Sequence, residues 1–137
     1  MIAGIVDDVI VPGHERLAET TGELAETTEQ LCAQPDAAQL TAAQDAWRDA
    51  RSAWSNTDAY RFGPAEDLKS ESDIAYEVDL EKLADDLDVP GELPDTIDAS
   101  VVDGLGADVR GLAAVEQLLF APDVNAMTDA RRCAYAA

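Results

Sequence analysis

The chain has 137 residues, enough for one domain with a core of its own; 47% are hydrophobic but only 5% aromatic. Nine Lys and Arg stand against 29 Asp and Glu, a formal net charge of -20 that argues against a nucleic-acid backbone or an anionic membrane surface as partner. One histidine excludes an HExxH zinc site, and two cysteines exclude a four-cysteine zinc or iron–sulfur centre.

Ala dominates the apolar share and, with Leu, Glu and Asp, predicts helices packed through small residues. The first helix reads over 2–33. Ile10, Leu17, Leu24 and Leu31 recur every seven residues, with Val6, Gly13 and Thr20/Thr21 at the alternate seam positions. Pro12-Gly13 predicts a kink or a restart, because proline lacks an amide donor and crowds the preceding turn. Gln34-Pro35 ends the helix, and Asp36 is placed to cap the next, with Gln39 at the capping-box position.

The second helix reads over 37–61. Leu40, Trp47, Trp54 and Arg61 follow at intervals of seven beside Ala43, Ala46, Ala50 and Ala53, and Phe62-Gly63-Pro64 stops it. Residues 64–94 are irregular, with Ser70 and Asp73 as a cap signal and Leu80, Leu83, Ala84 and Leu87 predicting a short helix over 79–88. Asp95 is placed to cap a helix over 96–104, ended by Gly104-Leu105-Gly106. Asp108 is placed to cap another over 109–120, closed by Ala121-Pro122. A last helix begins near Asn125 and still runs at Ala137. No strand pattern occurs, so the expectation is an all-α, up-and-down bundle resembling a four-helix bundle.

The helix over 109–120 carries the sharpest chemical signal. At 100° per residue from Val109, the apolar arc spans about 240° to 40°, and Glu116 falls inside it at about 340°. A carboxylate there must be paired, protonated or bound to a metal, since burying it bare costs several kcal/mol. Arg51, Asp58 and Arg61 lie within about 40° of the Trp47–Trp54 stripe, so Glu116 with Arg51 or Arg61 is the expected buried pair. Such a pair either fixes helix register or marks a binding cleft formed by Glu116 and the Trp47/Arg51/Trp54 face. Trp47 and Trp54 read first as core, His14 as a surface or cap residue, and Arg131-Arg132 as a solvated face.

The 18 Asp and 11 Glu face seven Arg and two Lys, Lys69 and Lys82. Self-repulsion at this density weakens a compact state and salt screens it, which predicts a high-salt (halophilic) origin; an ordinary acidic surface is the alternative. No run of 18 apolar residues occurs, so no transmembrane segment is expected. Cys32 and Cys133 read either as one bridge or as two buried thiols.

Ala46-Trp47-Arg48-Asp49-Ala50-Arg51-Ser52-Ala53-Trp54, followed by Tyr60-Arg61-Phe62-Gly63-Pro64, resembles the imelysin family, also known as the insulin-cleaving membrane protease family. So do Val109 to Phe120, Arg131-Arg132-Cys133-Ala134-Tyr135, and the opening Val9-Ile10-Val11-Pro12-Gly13. The resemblance implies two related helical bundles, of which residues 1–137 would be the first and N-terminal one, in agreement with an ending inside a helix. It implies an envelope setting, periplasmic or lipoprotein-anchored, with any leader outside this chain. It implies a link to iron uptake, with iron or another divalent metal as possible cofactor and an iron-uptake protein as possible partner, and it favours pairing of Cys32 with Cys133.

The family's GxHxxE motif maps onto Gly111, Ala113 and Glu116, so the histidine is replaced by Ala113. One carboxylate without its imidazole makes a poor transition-metal site. The expectation is therefore a non-catalytic protein that binds a metal ion through Glu116, or a small ligand. The alternatives are a metallopeptidase fragment and a structural or partner-binding bundle.

Overall fold

The computed structural model describes residues 2–60, 74–88, 91–94, 96–120 and 130–137, and these build an all-α fold. A short helix α1 (Ile2–Ile5) leads through a π-helical turn (Val6–Ile10) into α2 (Val11–Ala33). In the π turn the Val11 amide donates to the Val6 carbonyl, five residues back. This wider turn contains Asp8, whose carbonyl the Pro12 ring would otherwise crowd. The expected interruption at Pro12-Gly13 is thus absorbed just before the proline, and the helix continues.

Asp36 accepts from the Ala38 and Gln39 amides at 2.9 Å each and opens α3 (Ala37–Thr57), which runs on into a 3-10 turn (Asp58–Tyr60). Among the described residues the further helices are α4 (Leu80–Asp88), α5 (Ala99–Asp103), α6 (Leu112–Leu119) and α7 (Ala130–Ala136), with a 3-10 turn at Ala107–Val109 before α6. Arg61, Phe62-Gly63-Pro64, Ser70, Asp73, Asp95 and the span 121–129 lie outside the described residues.

α2 and α3 form an antiparallel hairpin, the most extensively packed pair of helices among the described residues. Leu17, Leu24 and Leu31 are buried as the seven-residue seam predicts, while Ile10 is only half-buried. Thr20 and Thr28 are fully buried between them, and each hydroxyl donates to a carbonyl of its own helix, to Arg16 at 2.9 Å and to Leu24 at 2.7 Å. The buried hydroxyls are thereby satisfied without any partner across the seam. Ala43, Ala46, Ala50 and Ala53 supply the small surface opposite, which lets the two backbones approach closely. A Cβ on Gly13 would sit 3.7 Å from Thr57, in ordinary contact, so this glycine marks where the end of α3 meets the start of α2.

α6 docks on α3, and α7 docks on α2 and on α6. A disulfide joins Cys32 near the end of α2 to Cys133 in α7, with 5.6 Å between their Cα atoms. Arg132 pairs with Asp88 at 2.7 Å and ties α7 to α4. Arg132 is therefore a connector between two helices, where a plain solvated face was expected.

Two helix starts differ from the sequence reading. The helix expected over 96–104 is α5 alone, capped by Asp98, whose carboxylate accepts from the Ser100 and Val101 amides. Asp98 is itself extended, at φ -134° and ψ 175°, and follows the buried Ile97, so the helix starts at residue 99. The helix expected over 109–120 begins at Leu112. Asp108 does not cap it: its carboxylate pairs with Lys82 at 2.9 Å. Val109 is wholly buried in the 3-10 turn, with its carbonyl held by the Tyr135 hydroxyl, and the backbone of Arg110 (φ -132°, ψ 178°) and Gly111 (φ 81°, ψ -169°) is not helical, so the helix starts only after them.

Candidate functional site

Gly111 sets the geometry of the site. It enters α6 with φ 81° and ψ -169°, a combination essentially restricted to glycine. Any side chain here would strain the backbone, which is a physical reason for glycine as the first residue of the motif. The turn aims α6 across α3, antiparallel to it.

Two side chains of α3 fasten that crossing. The Trp47 indole N–H donates to the Leu112 carbonyl at 2.8 Å, and the Gln44 amide donates to the Leu119 carbonyl at 2.8 Å. The second bond caps one of the carbonyls left free at the end of α6. Beyond it, Phe120 meets the Trp47 ring edge-on, 5.3 Å between centroids, and the Arg48 guanidinium lies 5.1 Å from the Phe120 ring.

Between α3 and α6 lies a cleft of about 250 Å³. Trp47 and Arg51, one turn apart on α3, form one wall, and Leu112, Ala113 and Glu116 of α6 form another. Ala75, Tyr76 and Glu77 close the third side. The structure thus brings Trp47, Arg51, Ala113 and Glu116 together. Trp54 is buried in the core and Asp58 sits in the 3-10 turn, and neither lines this cleft.

Glu116 is half-buried, not buried, and among the described residues no ion pair joins it to Arg51. The core-facing side of α6 is Leu112, Ala114, Leu118 and Leu119, rotated from the arc that the wheel selected. α6 is apolar almost all round, so periodicity alone could not choose which apolar side meets α3 and α7. The true face leaves Ala113 and Glu116 on the flank toward the cleft.

A larger cavity of about 540 Å³ lies on the opposite flank of α6. Arg110, Gly111, Ala114 and Val115 line it together with Val102 of α5 and Tyr135 of α7. No spacing pattern in the sequence points to it, because its walls come from four segments, Glu29 of α2 included, that only packing brings together. Next to it, burial, and then the Asp86 and Asp108 charges, push the Tyr135 phenol up to about 12. Burial also raises Asp86, partly offset by Lys82. In the exposed pair beside them, the hydrogen bond between Lys82 and Asp108 raises the lysine and lowers the aspartate.

The donor set of the cleft does not fit a metal centre. It offers two carboxylates, Glu77 and Glu116, beside a guanidinium, and Ala113 supplies only a methyl group. Among the described residues no three His, Cys, Asp or Glu side chains gather to hold an ion. His14 is exposed on α2. Among the described residues, no helix is long and apolar enough to cross a membrane.

The family model described as Imelysin matches residues 10–137. The chain is 30% identical over 129 residues to Iron-regulated protein A of Synechococcus elongatus, an alignment covering 93% of this chain and 33% of that protein. It therefore spans about a third of that relative's length. No solved structure matches it.

Proposed function

The chain belongs to the imelysin family, and from that premise we propose that it is part of a non-catalytic, iron-related binding protein of the cell envelope, with its ligand seated between Trp47, Arg51 and Glu116. The observation that carries this reading is the cleft itself, where a carboxylate and a guanidinium from different helices face one small space beside an aromatic ring. The name of the Synechococcus relative supports the iron connection. The Cys32–Cys133 disulfide supports an oxidising compartment such as the periplasm, whether or not an anchor holds the protein there.

Ala113 speaks against a peptidase. A zinc peptidase needs three protein ligands and a general base, and an alanine at the histidine position of the motif removes one such donor. Calorimetric titration of the chain with Fe2+, ferric citrate, Zn2+ and Ca2+ tests the binding reading. Ferric citrate that binds the parent and binds more weakly to Glu116→Gln and Glu116→Leu, while both variants melt like the parent, is the expected result; the bare ions, which the donor set of the cleft does not fit, are the controls. Equal binding by parent and variants would overturn the assignment of the cleft. Silence with all four would remove the iron connection, and silence with small organic ligands as well would favour a structural, partner-binding bundle. Cleavage of insulin B chain after metal addition would overturn the non-catalytic reading.

A further inference from the structure

The cleft between α3 and α6 holds charges of both signs. Arg51 contributes a guanidinium, and Glu77 and Glu116 contribute carboxylates. Among the described residues these groups form no ion pair with one another. A bare cation entering the cleft meets the repulsion of Arg51, and a bare anion meets that of two carboxylates. A molecule carrying both charges at opposite ends satisfies all three groups.

The aromatic walls fit the same reading. The indole N–H of Trp47 is already committed to the Leu112 carbonyl, so this side chain offers the cleft its ring rather than a donor. Tyr76 stands 50% exposed at the opening. Ring faces hold an apolar body and attract an ammonium group. At about 250 Å³ the space is smaller than the roughly 300–1,000 Å³ of sites for drug-sized ligands.

We propose that this cleft takes a small zwitterion of the amino-acid class, with its carboxylate toward Arg51, its ammonium toward Glu77 and Glu116, and its apolar body against Trp47 and Tyr76. The proposal rests on the reading of the cleft as a ligand site given above. It adds that the ligand's two opposite charges are what the site recognises.

Three probes of matched size test it on the disulfide-bonded chain: phenylalanine, phenethylamine, which has only the ammonium, and 3-phenylpropionate, which has only the carboxylate. By calorimetry or ligand-observed NMR, phenylalanine binds most tightly, and each singly charged analogue is weaker by about fivefold, the scale of an ion pair open to solvent. Arg51→Gln removes the advantage of phenylalanine over phenethylamine, and Glu116→Gln reduces its advantage over 3-phenylpropionate. Far-UV circular dichroism and melting confirm that both variants are folded.

Binding of either analogue as tightly as phenylalanine overturns the proposal. So does a phenylalanine affinity that neither substitution changes. If no probe binds while ferric citrate or a metal ion binds through Glu116, the zwitterion is refuted and the ligand site stands. If neither class binds, both readings fall.

Discussion

Breaking the bond between Cys32 and Cys133 should cost this protein a large share of its stability. The two residues are 101 positions apart, so the bridge closes most of the chain into one loop. In the chain-entropy account, a loop of that length removes about 16 cal/mol/K from the unfolded ensemble, or about 4.7 kcal/mol at 25 °C. Domains of this size are stable by about 5–15 kcal/mol, so the reduced protein should be marginal. The site itself adds to the effect, because Leu31 and Cys133 are buried where α7 meets α2. The assay is urea unfolding followed by circular dichroism, with and without dithiothreitol, and with the Cys32→Ser/Cys133→Ser variant. Mass measurement first establishes that the oxidised form lacks two thiol hydrogens. The reduced form should unfold at a lower midpoint, with a steeper denaturant dependence because its unfolded state is more expanded. A midpoint shift worth less than about 1 kcal/mol would refute the loop-closure reasoning. Two free thiols in protein purified under oxidising conditions would refute the bridge itself.

Other expectations follow from single residues. Gly111→Ala places a Cβ on a backbone at φ 81° and should cost about 1–3 kcal/mol in chemical denaturation; an unchanged midpoint would show that the turn can relax. Burial pushes the Tyr135 phenol up from its ordinary 10.0 to about 12, so between these values the folded state keeps a proton that the unfolded state loses. Stability from this group is full below pH 10 and is lost as pH rises toward 12, by about 2–3 kcal/mol in all at 1.36 kcal/mol per unit. Tyr135→Phe should flatten that limb of the pH–stability curve, and an identical slope in the variant would contradict the assignment. The Lys82–Asp108 pair should act across the neutral range, losing its aspartate contribution as pH falls below 3.8 and its lysine contribution as pH rises above 10.5. With a net charge of -20, the melting temperature should climb between 0.1 M and 1 M KCl, as the screening length falls from about 10 Å to about 3 Å; a flat profile would remove the high-salt reading.

The features the sequence determined by itself are those whose physics is local. The α2 seam at Leu17, Leu24 and Leu31, the Asp36 cap, the alanine face of α3 and the short helix α4 follow from helical periodicity and from side chains that reach backbone groups within four residues. Glycine at position 111 and glutamate at position 116 were also legible as a motif, although their conformations were not. Tertiary structure decided the rest. α6 starts at Leu112 rather than 109 because the backbone at Arg110 and Gly111 is non-helical, in a segment where Tyr135, 26 residues away, holds the Val109 carbonyl and Lys82 pairs with Asp108. Glu116 stands in a cleft instead of a buried pair because an almost wholly apolar helix can turn any of several faces inward, and contacts with α3 and α7 chose the face of Leu112, Ala114, Leu118 and Leu119. Tyr76 and Glu77 join Arg51 and Glu116 only because residues far apart in the chain fold onto one another, and a spacing pattern within one helix carries no information about such neighbours.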